Sequence, residues 1–537
     1  MTTGRTISTA VGSGDRRTGR VRPHIAAPAP QPPQLPLSAD ARLPNGLWVT
    51  AVRLATVARV EVRLTLPLGP GGPAPAAVHS ARAAVLAACV LRGVTRADGT
   101  PVETALGRIG GDVVPLVGGG CLALRGGVLA DGLDVLLRTL ADALSSPERP
   151  ETEVTAARTV LGGQTAVART RPAVAAHALL CRHAPGWAGD PQEPPAPELI
   201  AAVTPAQVRE SHARILVPAR ARLVLVGDLD PEAAVHTVRE AFAGWSADDA
   251  PGPAVRRRNE GSDAGPGRGG GGGSEAGVDA GSAGWDKGSD AGRDKGSDVP
   301  RPHSPGDGSS PVRTIGLHPA VREGTAQVRL CAARDDEPLT PALRLAALVL
   351  GGHAESRLVA RLRQRHGYTY AVRCRPEPWP PEGPATVTPS WQADPLPPPA
   401  PSPGHRLLVE ADTAPGKAHA LLEALGEELA RMAADPPSAA EVALALAHFT
   451  GASLTTWATQ AGLADALAHH LGPRQPAGPA HLWELVEDLR RAPADAVAAA
   501  GAAFRPARFT GVVIGAEGPP PATSRHWTFG QVREAGG

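Results

Sequence analysis

Between about Ser246 and Arg313 the chain has nothing with which to build a core. The stretch GPGRGGGGGSEAGVDAGSAGWDKGSDAGRDKGSDVP repeats DKGSD within itself and carries too few apolar side chains to offset the entropy of ordering it. Its composition predicts a flexible linker over 246–311. That break constrains everything else, because it divides 537 residues into two halves of similar size, each of which must fill a core of its own. With 42% hydrophobic but only 3% aromatic residues, those cores must be made of Ala, Val and Leu.

The two halves read as one plan written twice. In the first, ARLPNGLWVTAVRL holds a Pro-Asn-Gly turn signal between strand-like segments, and ARVEVRLTLPLG alternates apolar and polar residues as a half-buried strand does. An alanine-rich helix follows over Ser80–Val94. PVETALGRIGGDVVPLVGGGCLALRGGV then reads as a short helix, a double glycine and two strands, and further helices lead to ARLVLVGDLD, a buried strand. The second half repeats this: the strand GTAQVRLCAA, the helical stretches PALRLAALVLGG and SRLVARLRQRHG, the strand HRLLVEAD, the amphipathic helix KAHALLEALGEELARMAAD, and the closing strand ARFTGVVIGAEG. The expectation is an α+β fold made of two homologous domains, 41–245 and 312–518. Residues 1–40, rich in Pro, Ala and Arg, read as a disordered tail, and 519–537 as a second tail.

Composition excludes several function classes. A formal net charge of +1 provides no concentrated positive field for nucleic acid. No apolar run is long enough to span a bilayer, and the N-terminal segment has no continuous apolar core of a secretory signal. The five cysteines are scattered, with no C-x-x-C pair, which disfavours both a disulfide framework and a cysteine zinc site. A soluble, cytoplasmic protein is expected.

The order of these features resembles the pitrilysin/insulinase family of zinc metallopeptidases, in particular the processing-peptidase-like branch. The stretches that carry the resemblance are LPNGLWV, LGRIGGDV, LVLVGDLD and LVLGGHAESRLVARLRQRHGYTYAV, and it covers about 42–244 and 312–518. In the last stretch Gly351, Gly352, Ser356, Arg357, Leu358, Leu362, Arg363, Gly367 and Tyr370 fit the family pattern. Active members bind zinc through an H-x-x-E-H motif on the helix after the first hairpin, where two histidines four apart share a helical face and the glutamate activates the metal-bound water. Here the motif helix is AVLAACVLRGV. Ala84 and Ala88 stand at the histidine positions, Ala87 at the glutamate, and the third ligand falls at or near Gln164. Neither H-x-x-E-H nor H-E-x-x-H occurs elsewhere, and no metal or other cofactor is expected in this chain.

The resemblance assigns two further residues. In the family an Arg and a Tyr from the C-terminal domain reach over the zinc site, the Arg holding a substrate carbonyl and the Tyr hydroxyl donating to the oxyanion of the tetrahedral intermediate. Arg363 and Tyr370 match them. Tyr368 and Tyr370 are the only tyrosines in the chain, and Tyr368 reads as packing. In the family a peptide also adds as a strand to the sheet edge after the double glycine, here GGDVVPLVGGG, where Pro115 suits only an edge strand. The resemblance therefore implies half of a clamshell: a non-catalytic subunit of a heterodimeric metallopeptidase, giving Arg363 and Tyr370 in trans to a zinc-bearing partner that cleaves unfolded peptides. The alternative is an inert structural or peptide-binding scaffold of the kind found among respiratory-complex core subunits.

Overall fold

The computed structural model describes residues 34–69, 75–118, 120–183, 194–246, 313–318, 325–334, 337–379, 404–470, 478–520 and 524–531. Apart from Ser246, the linker expected over 246–311 lies outside them, as does most of the expected N-terminal tail.

Each half builds one six-stranded sheet. The first holds β1 (Ser38–Arg42), β2 (Trp48–Arg53), β3 (Arg59–Pro67), β4 (Asp112–Gly118), β5 (Cys121–Leu129) and β6 (Arg222–Gly227), in the order β1-β2-β6-β3-β5-β4. The second holds β7 (Arg313–His318), β8 (Ala326–Arg334), β9 (Thr369–Trp379), β10 (Gly404–Thr413), β11 (Thr510–Ile514) and β12 (Trp527–Gln531), in the order β12-β7-β11-β8-β10-β9. Four inner strands correspond one to one. β2 lies parallel to β6 and β7 parallel to β11, while the other inner pairs are antiparallel. The α+β class and the duplicated plan thus stand, with one edge strand of each sheet made differently.

Those edges correct the two expected tails. β1 begins at Ser38, three residues inside the segment read as disordered, because it pairs with β2 through the predicted turn. In that turn Gly46 adopts φ +88°, and Asn45 accepts from the Leu47 amide while donating to the carbonyls of Phe242 and Trp245, both at 3.0 Å. The turn is thereby tied to the end of its own half. In the second half the corresponding edge comes from the segment read as a C-terminal tail. β12 lies parallel to β7, and Trp527 is buried with its indole nitrogen donating to the Leu422 carbonyl at 3.0 Å. A five-residue strand anchored by one tryptophan leaves little compositional signal.

β3 corrects another expectation. Its alternation predicts one wet face, but seven of its nine residues are buried, including Glu61 and Arg63. The cover comes from the other half. Helix Gln460–His470 packs on β3 and β6, and Leu463, Ala464 and Leu467 join Val52, Val224 and Val226 in one apolar cluster. The equivalent first-half helix, Pro172–His183, packs on β8 and β11, where Leu179 and Leu180 meet Leu408, Val512 and Ile514. Each half thus covers the outer face of the other's sheet, with a helix at the same place in the repeat.

Buried charge is matched on both covered faces. Asp465 of the crossing helix accepts from Arg63 at 2.5 Å and also pairs with Arg125, while Gln460 donates to the carbonyls of Leu54, Val57 and Arg59 at 2.7–3.1 Å. On the second sheet Arg375 pairs with Glu410 at 2.8 Å and Arg406 with Glu377 at 2.7 Å. Burial there opposes ionisation of Glu377, but the Arg406 and Arg375 guanidiniums prevail and hold its carboxyl at about 2. Unpaired charges would be costly at such sites; the Asp465 pairs tie the two halves together, while those of the second sheet join β9 to β10.

Candidate functional site

The motif helix runs over Ala76–Cys89, four residues earlier than its expected start and five short of its expected end. Past it, Gly93 takes φ +64°, which ends the segment the sequence assigned to helix. Ala84 and Ala88 lie one above the other on a single face, as i, i+4 spacing requires. Ala84 and Ala87 are buried and Ala88 is half-buried. The helix packs against Glu151–Arg169, which carries Gln164 as an exposed residue. The two helices to which the resemblance assigns the zinc ligands are thus in contact, and methyl groups stand at the two histidine positions. His79 sits within this helix rather than before it. Burial, followed by the charges of Arg214, Arg82 and Arg220, lowers its pKa against the Leu68 backbone hydrogen bond that favours its proton. Among the described residues no group of three or more His, Cys, Asp or Glu could hold a metal.

A first prediction follows directly. The purified chain should hold no stoichiometric zinc by elemental analysis, and Ala84→His, Ala87→Glu and Ala88→His together should not confer tight binding, since Gln164 still replaces the third ligand. One firmly held zinc per unmodified chain would overturn the assignment of these positions.

The motif helix is held by a residue that the sequence reading missed. Arg149 is buried and donates to five carbonyls: Cys89 at 2.9 Å and Val90 at 2.8 Å at the end of the motif helix, and Ala143, Ser146 and Glu148 at 2.6–3.0 Å around the end of helix Leu133–Ser145. Helix C-termini leave carbonyls without intrahelical partners, and one planar guanidinium satisfies two such ends. An arginine after a Ser-Ser-Pro-Glu turn gives no sequence signal for this.

His212, on helix Pro205–Ile215, lies beside the same junction. Burial, and then the Arg149 charge, push its imidazole down to about 4, against backbone hydrogen bonds at Leu144 and Ser146 that favour its proton. The folded value lies below the ordinary 6.5, so between these values the unfolded chain holds a proton that the folded chain does not. Stability from this group is intact above pH 6.5 and lost as pH falls toward about 4, by on the order of 1 kcal/mol per pH unit. Thermal melts from pH 7.5 to 4.5 should therefore fall more steeply for the unmodified chain than for His212→Gln. Parallel curves would show that His212 does not titrate as its burial requires.

The structure brings Arg363 and Tyr370 together. Arg363 is exposed on Val359–Arg365, a π-helical segment, and its guanidinium carbon lies 4.5 Å from the centroid of the Tyr370 ring. Tyr370 is the second residue of β9, the edge strand, and is 82% exposed. A guanidinium over a phenol face is attractive and leaves the hydroxyl uncovered. Tyr368 instead packs against the second-half core and stacks on His366, with ring centroids 5.0 Å apart. Among the described residues neither Arg363 nor Tyr370 makes a hydrogen bond, ion pair or ring contact with the Ala84–Ala88 helix. On the first sheet β4 is an edge strand, as Pro115 requires.

Comparison with known proteins shows a likeness of fold. Residues 202–269 match the profile of the peptidase M16 inactive domain, a stretch that includes β6 and its LVLVGDLD sequence. No curated protein matches the chain. Among solved structures, the peptidase M16 inactive domain from Pseudomonas fluorescens is 15% identical, with a TM-score of 0.62 over 90% of this chain and 99% of that one. A protease from Helicobacter pylori is 14% identical, with a TM-score of 0.64 over 89% of this chain and 100% of that one. At such identities the likeness is one of fold. No helix among the described residues is long and apolar enough to cross a membrane. The chain thus shares the fold of M16-like peptidase structures over both halves and, over residues 202–269, matches the peptidase M16 inactive domain, while Ala84, Ala87 and Ala88 stand at the positions that the sequence resemblance gives to the zinc motif.

Proposed function

We propose that this chain is the non-catalytic subunit of a heterodimeric M16-like metallopeptidase, and that it presents Arg363 and Tyr370 to peptide bound at the zinc of a partner subunit. The observation that carries this reading is the exposed Arg363–Tyr370 pair on a chain whose own zinc positions are methyl groups. In that role the guanidinium holds a backbone carbonyl of an unfolded peptide. The Tyr370 hydroxyl donates to the oxygen that becomes negative as water attacks the scissile carbon. Zinc, the activated water and its general base belong to the partner, which in this reading bears H-x-x-E-H. All five cysteines are buried thiols, and burial pushes those of Cys89, Cys121, Cys331 and Cys374 to about 11–12, which suits a cytoplasmic, reducing setting.

Co-expression with an H-x-x-E-H-bearing M16-like chain from the same genome tests this. The two should co-purify and cleave an unfolded peptide together, with neither doing so alone. Failure of every such chain to co-purify, or unchanged cleavage by the partner alone, would favour the inert scaffold.

A further inference from the structure

Lys417 is the only lysine among the described residues, in a chain that otherwise uses arginine for positive charge. It stands where local rules disfavour it. It closes the 3-10 turn Pro415–Lys417, already in helical conformation at φ −105°, ψ −3°, and leads directly into the 17-residue helix Ala418–Ala434, with no side-chain cap hydrogen bond. A cation there faces the positive end of the helix dipole. Its carbon stem covers little, because the residue is exposed. Among the described residues it forms no ion pair; the nearby Glu517 carboxylate lies beside Gly416 instead. A residue placed against local preference, with no packing or pairing in return, marks a requirement set elsewhere.

That requirement is visible at its tip. The Lys417 ammonium donates to the Gly367 carbonyl at 3.0 Å. Gly367, at φ +59°, is the pivot between the π-helical segment and β9, and the next three residues include both tyrosines. The remaining backbone of the pivot is tied down on its inner side. The Gly367 amide donates to the Arg363 carbonyl at 3.2 Å and the Tyr368 amide to Leu362 at 2.9 Å. Thr413 donates to the Tyr368 carbonyl at 2.5 Å and Thr369 to the Asp412 carbonyl at 2.6 Å. The Gly367 carbonyl is the outward group of this turn, and Lys417 is what holds it. The pivot also sets Arg363 relative to Tyr370, since one precedes it and the other follows it.

We infer that Lys417 is the positioning residue of the Tyr370 turn: by holding the Gly367 carbonyl it fixes the direction in which the Tyr370 phenol meets a substrate. This deepens the role proposed for Tyr370 and rests on that reading only where turnover is concerned. A displacement of about 1 Å at a reacting group can cost as much as about 100-fold in rate, so a weak surface hydrogen bond suffices if it governs orientation.

Having two tyrosines makes the test direct. The full chain labelled with 3-fluorotyrosine should give two ¹⁹F lines, assigned with Tyr368→Phe and Tyr370→Phe. Lys417→Met should move or broaden the Tyr370 line beyond its original width without changing the thermal melt, whereas Lys417→Arg, which keeps a donor, should preserve it. In the complex with the zinc-bearing partner, Lys417→Met should lower kcat by about 10-fold and leave KM nearly unchanged. An unmoved Tyr370 line in Lys417→Met, or a line displaced as far in Lys417→Arg, would overturn the inference whatever the activity. A moved line with unchanged turnover would uphold the positioning and remove Tyr370 from the chemistry, which separates this inference from the reading beneath it.

Discussion

Tyr370→Phe, in the complex with a zinc-bearing partner, is expected to lower kcat by about 10²–10³-fold while leaving KM close to its original value. The substitution removes one hydroxyl and keeps the ring, so the cation–π contact with Arg363 persists. The loss falls on kcat because the hydroxyl acts on charge that develops only in the transition state. Arg363→Ala should differ: it removes a ground-state contact to the peptide backbone as well as the partner of the Tyr370 ring, and should raise KM besides lowering kcat. With Tyr370 82% exposed, neither variant should alter folding of the isolated chain, which circular dichroism and thermal melting would check. A Tyr370→Phe complex that turns over peptide at the unmodified rate would leave the pair without a catalytic use and give the scaffold reading the advantage.

Arg149→Met should destabilise the chain by about 3–5 kcal/mol, a large share of the margin of an ordinary folded domain. Methionine fills much of the same volume, so the loss is electrostatic and directional. Five carbonyls lose their donor, and those of Cys89, Val90 and Ala143 lie where the two helix ends are buried. Arg149→Lys should recover only part of the loss, because a single ammonium cannot span the arc that the guanidinium fork covers. Arg138, whose partner Asp134 lies one turn away on an exposed helix face, is the control: Arg138→Met should leave the melt unchanged. Equal melting of Arg149→Met and the unmodified chain would mean that water replaces the guanidinium at the junction and that the motif helix needs no such clamp.

The two predictions concern different halves of the molecule, and only the residues of the first were legible in the sequence. Arg363 and Tyr370 are assigned by the family resemblance, which the glycines, serine and leucines at fixed spacings around them carry. Arg149 and Lys417 act through carbonyls that every residue carries, so no spacing of side chains announces their targets. Lys417 does leave a trace in composition, as the one lysine outside 246–311, but only the 3.0 Å contact with Gly367 gives that rarity a meaning.

The sequence by itself determined the repeat and the side chains that stand at the positions the resemblance gives to the zinc motif. β6 reads as buried because LVLV is apolar throughout, the first turn because Pro-Asn-Gly allows little else, and Ala84, Ala87 and Ala88 cannot themselves ligate a metal because a methyl group has no lone pair. These are properties of neighbours along the chain. Tertiary structure decided what lies on the far side of each sheet. The alternation of β3 correctly separates two kinds of face, yet it cannot tell that Glu61 and Arg63 are sealed under a helix whose Asp465 lies 402 residues beyond Arg63. Nor can composition distinguish a loose terminus from β12, whose place depends on a free edge of β7 and a pocket for Trp527. Periodicity reports which side chains point the same way; whether water or the other half of the molecule meets them depends on chain reversal over hundreds of residues, which no local window contains.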